Sequence, residues 1–256
     1  MGSKFLRNLS KEIINEFPSA KGFSVYNLKN MAKFYREYSD VEIGQTPSVQ
    51  IPWSHNLEIL RVKSKEQRLW YINKTIENGW SVNVLAHQID TNLYERQIEQ
   101  NKVSNFSTKL PSPQNELVLE TIKDPYVFDF IELKEDAKEK DLEDALINNI
   151  TKVLLELGKG FAYVGHQYHL EVAGEDYYID LLFYNIKLKC YVVIELKIGE
   201  FKPEYAGKLS FYLTAIDEQV KEVNDNPTIG LLLCRHKNNV VAEYTLRDMN
   251  KPMGGK

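Results

Sequence analysis

The sequence predicts an α/β protein in which a mainly helical amino-terminal part precedes a mixed sheet flanked by helices. Three observations support this prediction. Apolar residues recur at helical spacing in the first part, the second part combines long helical patterns with buried strand patterns, and a Ser- and Pro-containing stretch separates the two. The 256 residues are 43% apolar and 27% charged, which is typical of a globular protein with a sizeable core.

The first clear element is a helix that begins at Ser24, in GFSVYNLKNMAKFYREY. Its apolar positions follow the helical period, and basic residues fall along another side. A DNA-recognition helix has this division, with cations on phosphates and polar side chains near bases or sugars. A small bundle with a solvated basic face fits equally well. We expect Val25, Leu28, Met31, Ala32 and Tyr35 to point inward, Lys29, Lys33 and Arg36 to meet phosphates, and Tyr26, Asn27 and Asn30 to reach bases or sugars.

A helix-turn-helix pattern follows in the same part of the chain. The first helix spans Ser64 to Asn78 and ends at Gly79, and Ser81 caps a second helix that runs through Tyr94. Upstream of this pair, PSVQIPWSHNLEILRV mixes alternating and aromatic residues around a proline. We assign that stretch as a turn-rich connector.

The boundary between the two parts is predicted in NKVSNFSTKLPSP, Asn101 to Pro113, because polar residues and prolines interrupt the apolar period there. We therefore expect a helical domain over 4–105 and a second domain over 114–256. Residues 1–110 hold 15 Lys or Arg against 11 Asp or Glu, whereas residues 111–256 hold 17 against 25. This asymmetry is compatible with a basic binding module joined to a module with an acidic site.

The second part begins with EKDLEDALINNITKVLLELG, Glu139 to Gly158, which predicts one helix with an apolar stripe and a glycine stop. FAYVGHQYHLEV, YYIDLLFYN and CYVVIELKIG predict a three-stranded antiparallel meander. A helix opened by Pro203 and the buried strand TIGLLLCRH come next, and a right-handed crossover makes that last strand parallel. NKPMGGK at the carboxy end predicts a loop or tail.

Two of these apolar strands carry acids, and this points to chemistry. Asp180 lies in YYIDLL, and Glu195 closes YVVIE two residues before Lys197. Glu195 and Lys197 share one face of their strand because side chains alternate with period two. A buried acid needs a compensating partner, so we expect these three groups to converge at neighbouring strand ends.

A divalent cation would explain the two carboxylates, because they repel each other unless a positive charge lies between them. Hard oxygen ligands favour Mg²⁺ or Mn²⁺ over Zn²⁺. Such an ion polarises a phosphate and activates water, while Lys197 positions or deprotonates that water and offsets charge in the transition state. The pattern therefore predicts phosphodiester hydrolysis.

Two other interpretations concern the predicted strands. Asp180 and Lys197 could form a buried ion pair while Glu195 reaches solvent, and spacing alone does not exclude this. His166 and His169 could be metal ligands, but a spacing of three places them on opposite faces of a strand. We therefore expect both histidines to be structural or on the surface.

The order of these motifs resembles the PD-(D/E)XK nuclease fold and, within it, the YhcG-like family. The motifs in the second part are LEDAL, YYIDLLFYN, VVIELK and KPEYAGKLSFYL. Those in the first part are KGFSVYNLKNMAKFY, IPWSHNLEIL, EQRLWYINKTIENGWS and NLYERQ, and KDPYVFDFIEL follows them. The resemblance extends from about Leu9 to Pro252. One departure is Ile179, which stands where the motif name has proline.

The resemblance implies a helical, winged-helix-like DNA-binding domain followed by a restriction-endonuclease-like domain that uses Mg²⁺ or Mn²⁺. It puts Asp180, Glu195 and Lys197 at the core catalytic positions, with Glu143 as the first-helix acid that completes metal binding or orients water. Lys208, or Tyr212, would face the site from the following helix. RNA as substrate stays open, as does a catalytically weak module that binds DNA or a protein within a larger assembly.

The remaining expectations concern compartment and assembly. Cys190 and Cys234 both lie in apolar runs, where a buried thiol is expected in a reducing cytoplasm. No apolar run approaches the roughly 20 residues that cross a bilayer, so we expect no membrane partner. We expect a homodimer, because one site of this kind cuts one strand and two sites related by symmetry cut both.

Overall fold

The computed structural model describes residues 3–38, 47–98, 103–123, 126–134 and 136–256. The chain divides into two compact units, Met1–Tyr94 and Glu95–Lys256. No helix in the described part of the chain is long and apolar enough to cross a membrane.

The amino-terminal unit is helical, as the sequence predicts. Ser64 caps α4 by accepting the backbone N–H of Gln67, and Gly79 ends that helix in the left-handed conformation with φ 63°. Ser81 caps α5 in the same way, so this predicted helix pair is confirmed. The helices are α1 (Ser3–Glu16), α2 (Val25–Tyr38), α3 (Trp53–Ile59), α4 (Lys65–Asn78) and α5 (Val82–Asp90), with a 3₁₀ turn at Pro47–Gln50. The next helix, α6 (Leu93–Ile98), begins in this unit and ends in the second one.

Three details of this unit differ from the sequence prediction. The expected connector contains α3, and its buried Asn56 donates to the backbone oxygen of Ser48, a polar contact that no periodicity reveals. The helix capped by Ser81 ends at Asp90 instead of running to Tyr94, because Asn92 takes a positive φ of 51°. Tyr35, expected to point inward, is 62% exposed on α2.

The carboxy-terminal unit contains a five-stranded mixed sheet in the order β1-β2-β3-β4-β5, and helices flank it. The first three strands are antiparallel, β4 is parallel to β3, and β5 is parallel to β4. The predicted fold class is confirmed. Its elements are α7 (Phe106–Lys109), α8 (Gln114–Thr121), α9 (Glu139–Asn148), α10 (Ile150–Leu157), β1 (Phe161–Val172), β2 (Glu175–Asn185), β3 (Cys190–Glu200), α11 (Pro203–Gln219), β4 (Ile229–His236), α12 (Asn239–Arg247) and β5 (Met253–Gly255).

The sheet has an apolar core on each face, and β3 contributes to both. Val192, Ile194 and Leu196 lie in the core that includes residues of α9 and α10. Val193 lies in the other core, against α11. Because side chains alternate along a strand, Glu195 and Lys197 are on the same side of β3 as Val193.

Other differences from the prediction come from contacts distant in sequence. The expected single helix over 139–158 is interrupted at Asn149, which has φ −114°. The expected tail forms β5, and α12 was not predicted. Asn101 and Lys102 of the expected linker lie outside the described residues, whereas Phe106 and Leu110 are buried in a core of the sheet. The described part of that stretch is therefore packed structure.

Candidate active site

The candidate site lies where β2 and β3 separate. Their pairing runs from Asn185 opposite Cys190 to Leu181 opposite Ile194, and Asp180 follows the last pair. The Oδ2 atom of Asp180 accepts the backbone N–H of Leu196 at 2.8 Å. At the fork, the Asp180 carboxylate thus accepts a backbone N–H that a carbonyl of a paired strand would otherwise accept. This hydrogen bond fixes the position of the carboxylate.

Glu195 is the buried centre of the site, with no solvent exposure. Its Oε1 atom accepts the ammonium group of Lys197 at 3.1 Å and that of Lys208 at 2.5 Å. Lys208 reaches it from α11, which packs against the same face of the sheet. With Asp180 at the fork, the structure therefore brings together two acids and two lysines.

The charges of these groups influence one another strongly. Burial and repulsion from Glu195 raise the pKa of Asp180 to about 6, although the Leu196 amide and the two lysines act in the opposite direction. Burial tends to lower the pKa of Lys197 and Lys208, but their contacts with Glu195 outweigh it and the pKa of each is raised. Both lysines are therefore ammonium groups at neutral pH.

One oxygen of this cluster has no protein partner. The Oε2 atom of Glu195 is buried, and no described residue donates a hydrogen bond to it. A buried anionic oxygen without a donor is costly in free energy. An unpaired Glu195 oxygen next to the Asp180 carboxylate is a donor set that suits a hard divalent cation.

Glu143, the predicted third metal ligand, has a protein partner of its own. It is buried on α9, where its Oε2 accepts the side-chain amide of Gln167 at 2.7 Å, and burial is the main cause of its raised pKa. Within the described residues, no three His, Cys, Asp or Glu side chains are grouped closely enough to hold a metal ion. Glu143 as a third ligand thus stays a prediction.

The interpretation that pairs Asp180 with Lys197 and leaves Glu195 in solvent is wrong. Lys197 contacts Glu195, which is fully buried, and Asp180 is held by a backbone amide. His166 and His169 are exposed, as expected, and they contact Tyr163 and Asp176.

Two further residues belong to the neighbourhood of Lys197. The carboxylate of Glu139 lies 3.4 Å from its ammonium group, and the ring of Tyr205 lies 5.3 Å from it. Glu139 is one helical turn before Glu143, and this spacing could have revealed it. The hydroxyl of Tyr212 donates to the backbone oxygen of Tyr178 instead, so Lys208 is the α11 residue that reaches Glu195.

The residues predicted to contact DNA lie on α2 in two different environments. Lys29, Lys33 and Arg36 are all exposed. The ammonium group of Lys33 donates to the backbone oxygen of Leu60 at 2.6 Å, and the amide nitrogen of Asn30 is buried. All three basic residues of the predicted face are therefore exposed, although the ammonium group of Lys33 already has a backbone partner.

Comparison with known proteins identifies two family models along the chain. Residues 119–255 match the YhcG PDDEXK nuclease domain, and residues 1–96 match the DUF1016 N-terminal domain. The chain is 34% identical over 275 aligned positions to the "Putative nuclease YhcG" of Escherichia coli (strain K12). That alignment covers 96% of this chain and 73% of the relative.

Solved structures show weaker similarity. An EndoMS-dsDNA2 complex is 16% identical with a TM-score of 0.35, and the match covers 51% of this chain and 48% of that one. A repair endonuclease from Pyrococcus abyssi is 13% identical with a TM-score of 0.33, and the match covers 49% of each chain. The chain thus spans about half the length of the solved structures that it matches.

Proposed function

Because this chain belongs to the family that carries the YhcG PDDEXK nuclease domain, we propose that it is an endonuclease that hydrolyses phosphodiester bonds of DNA with Mg²⁺, for which Mn²⁺ can substitute. Nucleases of the PDDEXK superfamily generally depend on a divalent metal. The observation that carries the proposal is the pairing of Asp180 with the fully buried Glu195 at a strand fork, where two lysines contact Glu195.

Asp180 and Glu195 would hold the cation through carboxylate oxygens, with the unpaired Oε2 atom of Glu195 as one donor. When bound, a divalent ion supplies positive charge to a phosphate oxygen and makes water a stronger nucleophile at neutral pH. Glu143 is proposed as a further ligand, and its link to Gln167 would have to yield for this.

Lys197 is proposed to stabilise charge and to orient water. It is held by Glu195 Oε1 and by the backbone oxygen of Leu196 at 2.9 Å, so its ammonium group is fixed at the site. Because its pKa is raised, it carries a proton at neutral pH. It therefore donates hydrogen bonds to a phosphate oxygen or to the attacking water, where preorganised positive charge lowers the barrier most effectively.

Lys208 is proposed to add a second positive charge that can move. Its side chain is 47% exposed, whereas Glu195 is fully buried. A long, half-exposed side chain can release Glu195 and turn to the phosphate as substrate and cation arrive.

The amino-terminal part, proposed as a domain over 4–105, would bind DNA through the basic residues of α2, and residues 114–256 would form the nuclease domain. A homodimer would bring two sites to the two strands of a duplex. Sedimentation at micromolar concentration tests this, and a mass of 29.7 kDa at all concentrations would contradict it.

The function is tested by incubating the purified protein with plasmid, linear, single-stranded and branched DNA and with RNA. Each substrate is tested with Mg²⁺, Mn²⁺ or EDTA, and Glu195→Gln serves as the matched control. We expect internal cuts in DNA that require the metal and that the variant does not make. Binding of DNA without cleavage under any condition would favour a catalytically silent binding module, and cleavage of RNA alone would replace the substrate.

A further inference from the structure

A cavity of about 450 Å³ lies beside the candidate site in the carboxy-terminal unit, a volume within the range of small-ligand pockets. Leu142, Leu146 and Leu196 form an apolar part of its wall. Lys197 is also in the wall, and its ammonium group is 3.1 Å from Glu195. The cavity and the candidate catalytic site therefore share a residue.

The remaining wall combines aromatic rings with positive charge. Tyr126 and Phe128 line the cavity, and their rings are stacked, with centroids 6.1 Å apart and planes at 18°. The cations of the wall include Lys134, Lys197 and Arg235. Lys134 and Arg235 are exposed. Among the described residues that line the cavity, none is Asp or Glu.

This combination matches one kind of ligand. Flat aromatic rings stack on a nucleobase regardless of its identity, and cations hold the phosphates that flank it. A purely apolar ligand would leave these cations without a function, and a bare anion would not need the rings and leucines.

Building on the proposed nuclease function, we propose that this cavity receives one unstacked nucleotide of the strand that is cut. Its base lies against Tyr126 or Phe128, and its phosphates lie among Lys134, Lys197 and Arg235 on the path to Glu195. The preferred substrate is then a nucleic acid with at least one unpaired nucleotide next to the cleavage position, because extracting a paired base from a duplex costs a few kcal/mol.

Cys234 offers a probe of the cavity that needs no substitution. It lies in the cavity wall with intermediate exposure, whereas Cys190, the other cysteine of the chain, is buried. Burial raises the pKa of Cys234 to about 11, so alkylation is slow and its rate can be followed over hours. The rate is measured by mass spectrometry in EDTA, with a short single-stranded thymidine oligonucleotide or an abasic oligomer of equal length.

We expect the thymidine oligonucleotide to protect Cys234 and to bind about tenfold more tightly than the abasic oligomer, because only the former can stack. Phe128→Leu keeps an apolar side chain without the ring and should remove most of this tenfold difference. Arg235→Gln removes a cation of the wall and should weaken the binding of both oligomers. Lys189→Gln, in the turn between β2 and β3, removes one charge elsewhere and should change neither property.

Equal protection by the two oligomers, or none by either, would overturn the proposal, because no base would then enter the cavity. Protection by free thymidine monophosphate at the same concentration as the oligonucleotide would overturn the assignment to a substrate strand. The outcome is independent of cleavage, since EDTA prevents it. If the protein cuts DNA but shows no base-dependent protection, the proposed function stands and this inference is wrong. If it shows base-dependent protection but does not cut DNA, the inference stands and the proposed function is wrong.

Discussion

Glu195 is fully buried and contacts two ammonium groups. The net charge of the site therefore changes when any one of its charged residues is removed. Asp180, Glu195, Lys197 and Lys208 together carry no net charge when all are ionised. A divalent cation would therefore enter a neutral cluster and be repelled by the lysine that contacts Glu195 Oε1 at 2.5 Å. We infer that Lys208 and the cation compete for Glu195.

Lys208→Gln tests this competition. We expect the Mn²⁺ concentration that raises the melting temperature half-maximally to fall severalfold, because the removal of a partly exposed charge is worth about 1 kcal/mol. Cleavage should fall at the same time. Lys202→Gln, an exposed residue that precedes α11, is the control. A Mn²⁺ dependence identical to that of the unchanged protein would contradict the competition.

A second buried cluster affects stability. The Glu156 carboxylate accepts both Arg96 and Lys123, and all three side chains are buried. Burial is the largest cause that lowers the pKa of Lys123, to about 8, against the attraction of Glu156. Between pH 8 and the ordinary lysine pKa, the unfolded chain then holds a proton on Lys123 that the folded protein has released. Stability that depends on Lys123 thus rises with pH over this window.

Lys123→Met removes the titration and nearly preserves the side-chain volume. We expect the free energy of unfolding of the unchanged protein, minus that of the variant, to rise by roughly 1.5 kcal/mol between pH 8 and pH 9.5. Urea unfolding at several pH values measures it. A difference that stays constant, or that falls with pH, would show that Lys123 keeps its proton in the folded protein.

The sequence predicts the residues of the site unevenly. Asp180, Glu195 and Lys197 follow from acids in apolar strands and from the period of two. Lys208 depends on family resemblance, because a lysine on a helix gives no local sign of its partner 13 residues earlier. Arg96 and Glu156 are 60 residues apart, and only the folded chain reveals that they pair.

At the scale of elements, the sequence predicts strands with branched and aromatic residues well and strands of small residues poorly. β5, Met253–Gly255, has no pattern of its own and depends on pairing with β4. An added Cβ at Gly254 would lie 3.2 Å from the Phe106 ring, so glycine there permits close packing. The local pattern predicts a loop at these glycines because it carries no information about the position of Phe106.

The contact between β4 and α11 depends on another glycine. A Cβ on Gly230 would lie 2.9 Å from two carbons of Leu209, which is fully buried and cannot turn away. We expect Gly230→Ala to reduce the free energy of unfolding by about 1–3 kcal/mol. Because α11 carries Lys208, cleavage should fall as well.

Gly207→Ala provides the matched control on α11. Gly207 is exposed and has no neighbour within 4 Å of an added Cβ, so the change should stabilise the helix by up to about 1 kcal/mol. Urea unfolding of both variants compares them directly. Equal effects of the same sign would show that close approach at Gly230 does not limit the packing of α11.

At the scale of the whole molecule, residues 1–110 and residues 111–256 differ in charge and in proposed role. The basic excess of residues 1–110 suits DNA binding, and residues 111–256, which have an acidic excess, contain the site that would hold a cation. The division into units was predictable because helical and strand patterns occupy different parts of the chain. The position of the boundary, expected at Asn101 to Pro113, stays a prediction, although the described residues of that stretch are packed.

Salt dependence tests the DNA-binding role of α2. Lys29→Gln combined with Arg36→Gln should weaken duplex binding and reduce the slope of log affinity against log salt by about 0.9 for each phosphate that the protein no longer neutralises. Lys4→Gln with Lys11→Gln removes the same charge from α1 and is the control. If both pairs change the slope equally, the effect is one of overall charge, and α2 is not the binding helix.

The central claim is that Asp180 and Glu195 hold a divalent cation for DNA hydrolysis, and Asp180→Asn tests it most directly. Asparagine can still accept the Leu196 amide, so the fold should survive the loss of the anionic ligand. Melting is measured for both proteins in EDTA and in millimolar Mn²⁺, together with cleavage and duplex binding. We expect Mn²⁺ to raise the melting temperature of the unchanged protein alone, and the variant to bind DNA without cutting it. A large loss of stability in EDTA, or a Mn²⁺-induced rise that the variant retains, would contradict the claim.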